Sequence, residues 1–218
     1  MDHLRISPNK KSACHHLQIS KEDMLVWEFE GSEMFKPSFF ISHDSKTNAI
    51  VLSIRGTWSI QDTLTDLCAE YEPFKGGFVH TGFHRGANWI KDHYNHEIVG
   101  YIQKFKSNAL YIVGHSLGGA IASLYTLAFE DIATCIRKTN PLFTYHCYNF
   151  GAPSVCSINL ASSCNPLIDS FVNENDIVPR LSYGSASDLK ELVKYASSIL
   201  KTKSSEQVSF INSIVLFI

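Results

Sequence analysis

The feature that most constrains this chain is an apolar run, Ala109-Leu110-Tyr111-Ile112-Val113, that passes without a break into Gly114-His115-Ser116-Leu117-Gly118. A second apolar stretch, Ala120 to Phe129, follows at once. The first run has the length and side chains of a strand covered on both faces, and the last has the length of a helix. Turning a strand into a helix within so few residues requires a sharp corner. The residue at its tip takes strained backbone angles, and side chains two positions away on either side would clash. Glycine at 114 and 118 removes those clashes. The serine at the tip is lifted clear of the sheet, beside the free N–H groups and positive potential of the helix N-terminus. Ser116 is therefore the candidate nucleophile. The bare G-x-S-x-G pattern is common; the strand before it and the helix after it give it specificity. His115 leaves the corner in a different direction and reads as structural.

The rest of the chain repeats the alternation. Phe39-Phe40-Ile41 and Ala49 to Ile54 flank the turn-rich HDSKTN and predict a β-hairpin. Phe83, Ile90, Tyr94, Ile98, Tyr101, Ile102 and Phe105 recur at helical steps and predict a helix over 83–105. Tyr145 to Phe150 and Ile168 to Val172 read as further strands. Strands alternating with helices imply an α/β layered fold with a largely parallel central sheet. The 218 residues suffice for one sizeable domain. It is expected over 21–190, after a polar, loosely ordered segment 1–20 and before a tail 191–218. A net charge of −2 offers no basic field for nucleic acid. The polar N-terminus is not a secretory signal and no segment is long enough to span a bilayer, so the expected location is cytoplasmic. Six cysteines without a Cys-x-x-Cys pair predict free thiols and no metal site.

Four separated stretches add specificity: SIRGTWSIQDTLTDL (53–67), VHTGFHRG (79–86), YIVGHSLGGA (111–120) and NENDIVPRLS (173–182). In this order they resemble the class 3 lipases, the fungal-lipase-like branch of the α/β-hydrolases, and are closest in pattern to sn-1-specific diacylglycerol lipases. The resemblance spans residues 24–190. It implies an α/β-hydrolase fold, incomplete here at its C-terminus, and hydrolysis of a glycerolipid ester, such as diacylglycerol, through an acyl-enzyme on Ser116. It also implies an oxyanion hole from Thr57 and the N–H of Leu117, and Asp176, in its D-x-V-P-R setting, as the triad acid. Segment 58–67 would be a lid; Ile60, Leu64 and Leu67 would share one helical face there. Through it the protein would touch a membrane or lipid-droplet surface. The resemblance calls for no metal or organic cofactor. His80 and His84 are expected to be structural, and Asp62, Asp66 and Glu174 to be surface or supporting groups.

One feature departs from the pattern. The order in this fold is Ser, Asp, His, yet the ten histidines, at 3, 15, 16, 43, 80, 84, 93, 96, 115 and 146, all precede Asp176. A serine without an adjacent base is a poor nucleophile. Three explanations compete: a chain that stops before its base, with the apolar ending Ile214 to Ile218 unpartnered; a catalytically inactive lipase-like protein that binds lipid or protein; or an unusual base such as His80 or His84. Transfer of the acyl group to an alcohol instead of water is also open.

Overall fold

The fold, seen in a computed structural model, is described for residues 9–29, 36–56, 70–163 and 166–180, and at single positions between 184 and 195. A two-turn helix α1 (Lys10–Leu17) comes first, within the segment expected to be loosely ordered; the Asn9 side chain caps it by accepting the Lys11 N–H at 2.8 Å. Strands β1 (Met24–Glu28), β2 (Phe39–Asp44) and β3 (Ala49–Ile54) follow. A small hairpin, β4 (Tyr71–Phe74) and β5 (Gly77–His80), leads into the long helix α2 (Thr81–Phe105). Then come β6 (Ala109–His115), α3 (Leu117–Ala128), α4 (Glu130–Arg137), β7 (Thr144–Phe150), α5 (Ile158–Ser163), β8 (Ile168–Phe171) and a 3-10 turn at Val178–Arg180.

The central sheet has six strands in the order β1-β2-β3-β6-β7-β8. β2 and β3 form the expected hairpin, antiparallel from Phe39↔Ile54 to Asp44↔Ala49, and β1 extends it. From β3 onward every pairing is parallel. The largely parallel sheet read from the sequence is thus present, with an antiparallel flank.

Each parallel step moves in the same direction across the sheet. Right-handed crossovers then place the connecting helices on one face, and α2 and α3 do pack side by side against β3, β6 and β7. Leu110 and Ile112 of β6 and Cys147 of β7 lie fully buried beneath them, beside Ile90, Ile98 and Leu124. Each such side chain contributes roughly 1.5–3 kcal/mol on burial. Residues of the opposite parity, Tyr111, Val113 and Tyr148, face the other side and are half-buried. α3 is buried from Gly118 to Ala128. Its polar residues turn inward on themselves: Ser123 Oγ donates to Gly119 O, and Thr126 Oγ1 to Ala122 O. No single described helix is long and apolar enough to cross a membrane.

Candidate active site

The parallel strands deliver their carboxyl ends to one edge of the sheet, and the candidate residues gather there. β6 ends at His115 and α3 begins at Leu117, so Ser116 is the whole of the corner. Its backbone sits at φ 55, ψ −125, a conformation that non-glycine residues rarely adopt. A side-chain carbon at Gly114 would collide with the Gly118–Gly119 backbone, and one at Gly118 with the carbonyls of Ile54 and Arg55. The strain is held by neighbours: the Ser116 N–H donates to Phe150 O at 2.8 Å, and the Ala120 N–H to Ser116 O at 3.1 Å.

Leu117, as the first residue of α3, has an N–H without a partner inside the helix. That is the geometry of an oxyanion donor beside a serine at the tip. The end of β3 comes close as well. A carbon at Gly56 would lie 2.5 Å from His115 O and 3.4 Å from Ser116 Cβ. The next residue, Thr57, and the expected lid 58–67 lie outside the described residues.

Asp176 stands in the turn after β8. Its N–H donates to Asn173 O at 2.9 Å, and its Oδ1 accepts the Val178 N–H at 3.0 Å, which fixes one carboxylate oxygen. The other, Oδ2, faces Gly151, the residue after β7. Gly151 has φ +57, and a side-chain carbon there would lie 2.8 Å from Oδ2. Since Phe150 holds the Ser116 N–H and Gly151 abuts Asp176, the Phe150–Gly151 peptide is the common neighbour of both candidates. The sequence reading passed over this glycine. Its only local signal was Phe150-Gly151-Ala152-Pro153 at the end of an apolar strand.

The two histidines of VHTGFHRG have local partners. His80 is fully buried and caps α2, its Nδ1 accepting the Phe83 N–H at 3.4 Å, with its ring stacked on Phe83. His84 pairs through Nδ1 with Glu72 and through Nε2 with Asn88 at 3.2 Å. Cys14, Cys135, Cys147 and Cys156 are free thiols. Burial pushes the Cys147 thiol up to about 12, so in the core it stays protonated and unreactive.

A strained serine between a parallel strand and a buried helix, at the carboxyl edge of the sheet, marks an α/β-hydrolase fold. Among solved structures, a complex of Rhizomucor miehei lipase with its propeptide superposes with a TM-score of 0.63 at 22% identity, covering 81% of this chain and 60% of that one. A triacylglycerol lipase with a serine-protease triad superposes at 0.61 and 22% identity, covering 73% and 61%. The class 3 lipase family matches residues 51–185, more than half of the sequence, and the chain belongs to it. Mouse diacylglycerol lipase-beta is 28% identical over 197 residues, covering 83% of this chain and 28% of that protein. The Rhizomucor miehei lipase is 26% identical over 182 residues, covering 81% and 49%. The chain therefore spans half or less of the length of these relatives.

Proposed function

We propose that the chain carries a serine ester-hydrolase site for acyl glycerols. The observation that carries this reading is the strained corner at Ser116, with an N-terminal helix donor on one side and the Asp176 carboxylate across Gly151 on the other. Ser116 Oγ attacks the ester carbonyl, and the oxyanion is held by the Leu117 N–H and by Thr57. The tetrahedral intermediate collapses to an acyl-enzyme as the alcohol leaves, and water then releases the fatty acid. The Ser116 proton must pass to a base, and Asp176 would orient a histidine in that role and stabilise its cation. Diacylglycerol as substrate draws support from the similarity to diacylglycerol lipase-beta. The lid segment 58–67 brings the site to a membrane or lipid-droplet surface.

The histidine order favours a second reading, a lipid- or protein-binding chain without turnover, since all ten histidines precede Asp176. Hydrolysis of a short-chain p-nitrophenyl ester by the protein and by Ser116→Ala separates the two. Ser116-dependent turnover is the expected result. Equal background rates in both would overturn the hydrolase reading and promote the second.

A further inference from the structure

The residue before the nucleophile has no structural task visible in its contacts. His115 ends β6, is exposed, and its ring makes no hydrogen bond among the described residues. Its Nε2 nevertheless points to a defined place. The spot that a side-chain carbon would occupy at Gly151 lies 3.7 Å from His115 Nε2 and 2.8 Å from Asp176 Oδ2. The imidazole nitrogen and the carboxylate oxygen thus lie beside the same face of Gly151, where an added carbon would crowd the carboxylate.

Chemistry makes the pairing specific. Oδ1 of Asp176 is occupied by the Val178 N–H. An ionised carboxylate accepts at about four lone-pair positions, so Oδ2 can serve the triad base and still take a second donor. No direct hydrogen bond joins the two side chains, but both polar atoms lie near one point beside Gly151 and His115 is exposed, so a solvent molecule can bridge them. Register supports the arrangement: His115 pairs with Phe150, whose carbonyl anchors Ser116, and Phe150 pairs with Phe171 on the strand leading to the acid. His115 is thereby tied to both ends of the catalytic constellation by backbone that cannot shift without moving the serine.

We propose that His115 is a positioning residue for the acid: through one water bridging its Nε2 and Asp176 Oδ2 beside Gly151, it holds that oxygen toward the site. This rests on the reading of Ser116 and Asp176 as nucleophile and acid. It assigns His115 no contact with substrate and no proton transfer in the reaction.

Two measurements test it. In the first, kcat and KM for a p-nitrophenyl ester are compared for the protein, His115→Phe and His115→Gln. Phenylalanine keeps a ring and loses the donor, whereas the glutamine amide can donate from nearly the same position. Expected is a fall in kcat of roughly five- to tenfold in His115→Phe, the weight of one hydrogen bond, with KM and melting temperature unchanged. His115→Gln restores most of it. A purely structural role would move the melting temperature and give no rescue, and that result overturns the proposal.

The second measurement needs no turnover. Long-range 1H–15N spectra of the histidine rings are recorded for the protein, Asp176→Asn and Asp169→Asn. His115 signals, assigned by their loss in His115→Phe, should shift in Asp176→Asn and stay in place in Asp169→Asn. The latter should instead move His146, whose Nε2 lies 3.1 Å from Asp169 Oδ2. Unchanged His115 signals in Asp176→Asn would overturn the coupling. Loss of the hydrolase reading, seen as no Ser116-dependent turnover, leaves this second arm intact, so the two failures are distinguishable.

Discussion

Two glycines near Ser116 are needed for different reasons, and they separate stability from activity. At Gly118 an added carbon meets the Ile54 and Arg55 backbone, which cannot rotate away. Gly118→Ala should cost about 3 kcal/mol through overpacking, read as a lower denaturant midpoint. At Gly151 the added carbon meets the tip of one side chain, Asp176 Oδ2 at 2.8 Å, and the φ of +57 adds mild strain. Gly151→Ala should therefore cost only about 1–2 kcal/mol yet displace the acid. A displacement of that kind lowers turnover on the order of 100-fold, measured as kcat on a soluble ester. Full activity in Gly151→Ala would remove Asp176 from the mechanism. Gly114 and Gly118 were legible in the sequence because both belong to the G-x-S-x-G corner, although the backbone that Gly118 meets lies at the end of β3. Gly151 was not, because the group it makes room for lies 25 residues downstream and meets it only once β7 and β8 pair.

Elements show the same division between local and distant signals. The helical spacing over 83–105 placed α2, and it counted Tyr94 as part of an apolar face. The ring does pack edge-on against Phe39 at 4.9 Å, but the hydroxyl donates to Glu28 Oε2 at 2.6 Å, on β1. Lys36 Nζ reaches the other oxygen at 3.0 Å. The Tyr94 hydroxyl chiefly, and Lys36 after it, hold the Glu28 carboxyl below its ordinary value near 4.5, against an opposing push from burial. A carboxylate lowered on folding stabilises the fold fully above its unfolded value, and the contribution is lost as pH falls through the folded value. Tyr94→Phe should thus destabilise by about 1.5 kcal/mol at pH 7, a fall in Tm of roughly 3–6 °C. The gap to the parent protein should narrow as pH drops below about 4.5. A gap constant from pH 7 to 3 would show that the lost hydroxyl matters through packing and not through Glu28. β1 itself escaped the sequence reading because MLVWE sits between charged neighbours and is too short to show a period. The β4–β5 hairpin escaped because Pro73 demotes a strand and its two short strands form a sheet of their own.

At the scale of the whole molecule, the candidate site is assembled from chain segments that meet at the carboxyl edge of the sheet: Gly56 after β3, Ser116 after β6, Gly151 after β7 and Asp176 after β8. Alternating strands and helices made the parallel sheet legible, and the G-x-S-x-G corner marked which edge would carry chemistry. The turn-rich HDSKTN link made the β2–β3 hairpin legible too, but the β1 edge and the half-buried second face, with Tyr111 and Tyr148, left no such mark. This layout predicts that the scaffold and the site can be perturbed separately. Leu110 opens β6 at the far end of the strand and is fully buried. It stands six residues, about 20 Å of extended chain, from Ser116. Leu110→Ala should cost about 3 kcal/mol through a cavity, lowering Tm by roughly 6–12 °C. Leu142, 75% exposed, should tolerate alanine within about 0.5 kcal/mol. Well below its melting temperature, Leu110→Ala should react with a fluorophosphonate at Ser116 as fast as the parent protein, because the corner is held by Phe150 and by the glycine contacts and not by the far end of the strand. If Leu110→Ala instead slowed labelling as much as Gly151→Ala, the corner would depend on the whole core, and its strain would be held by global packing instead of by its immediate neighbours.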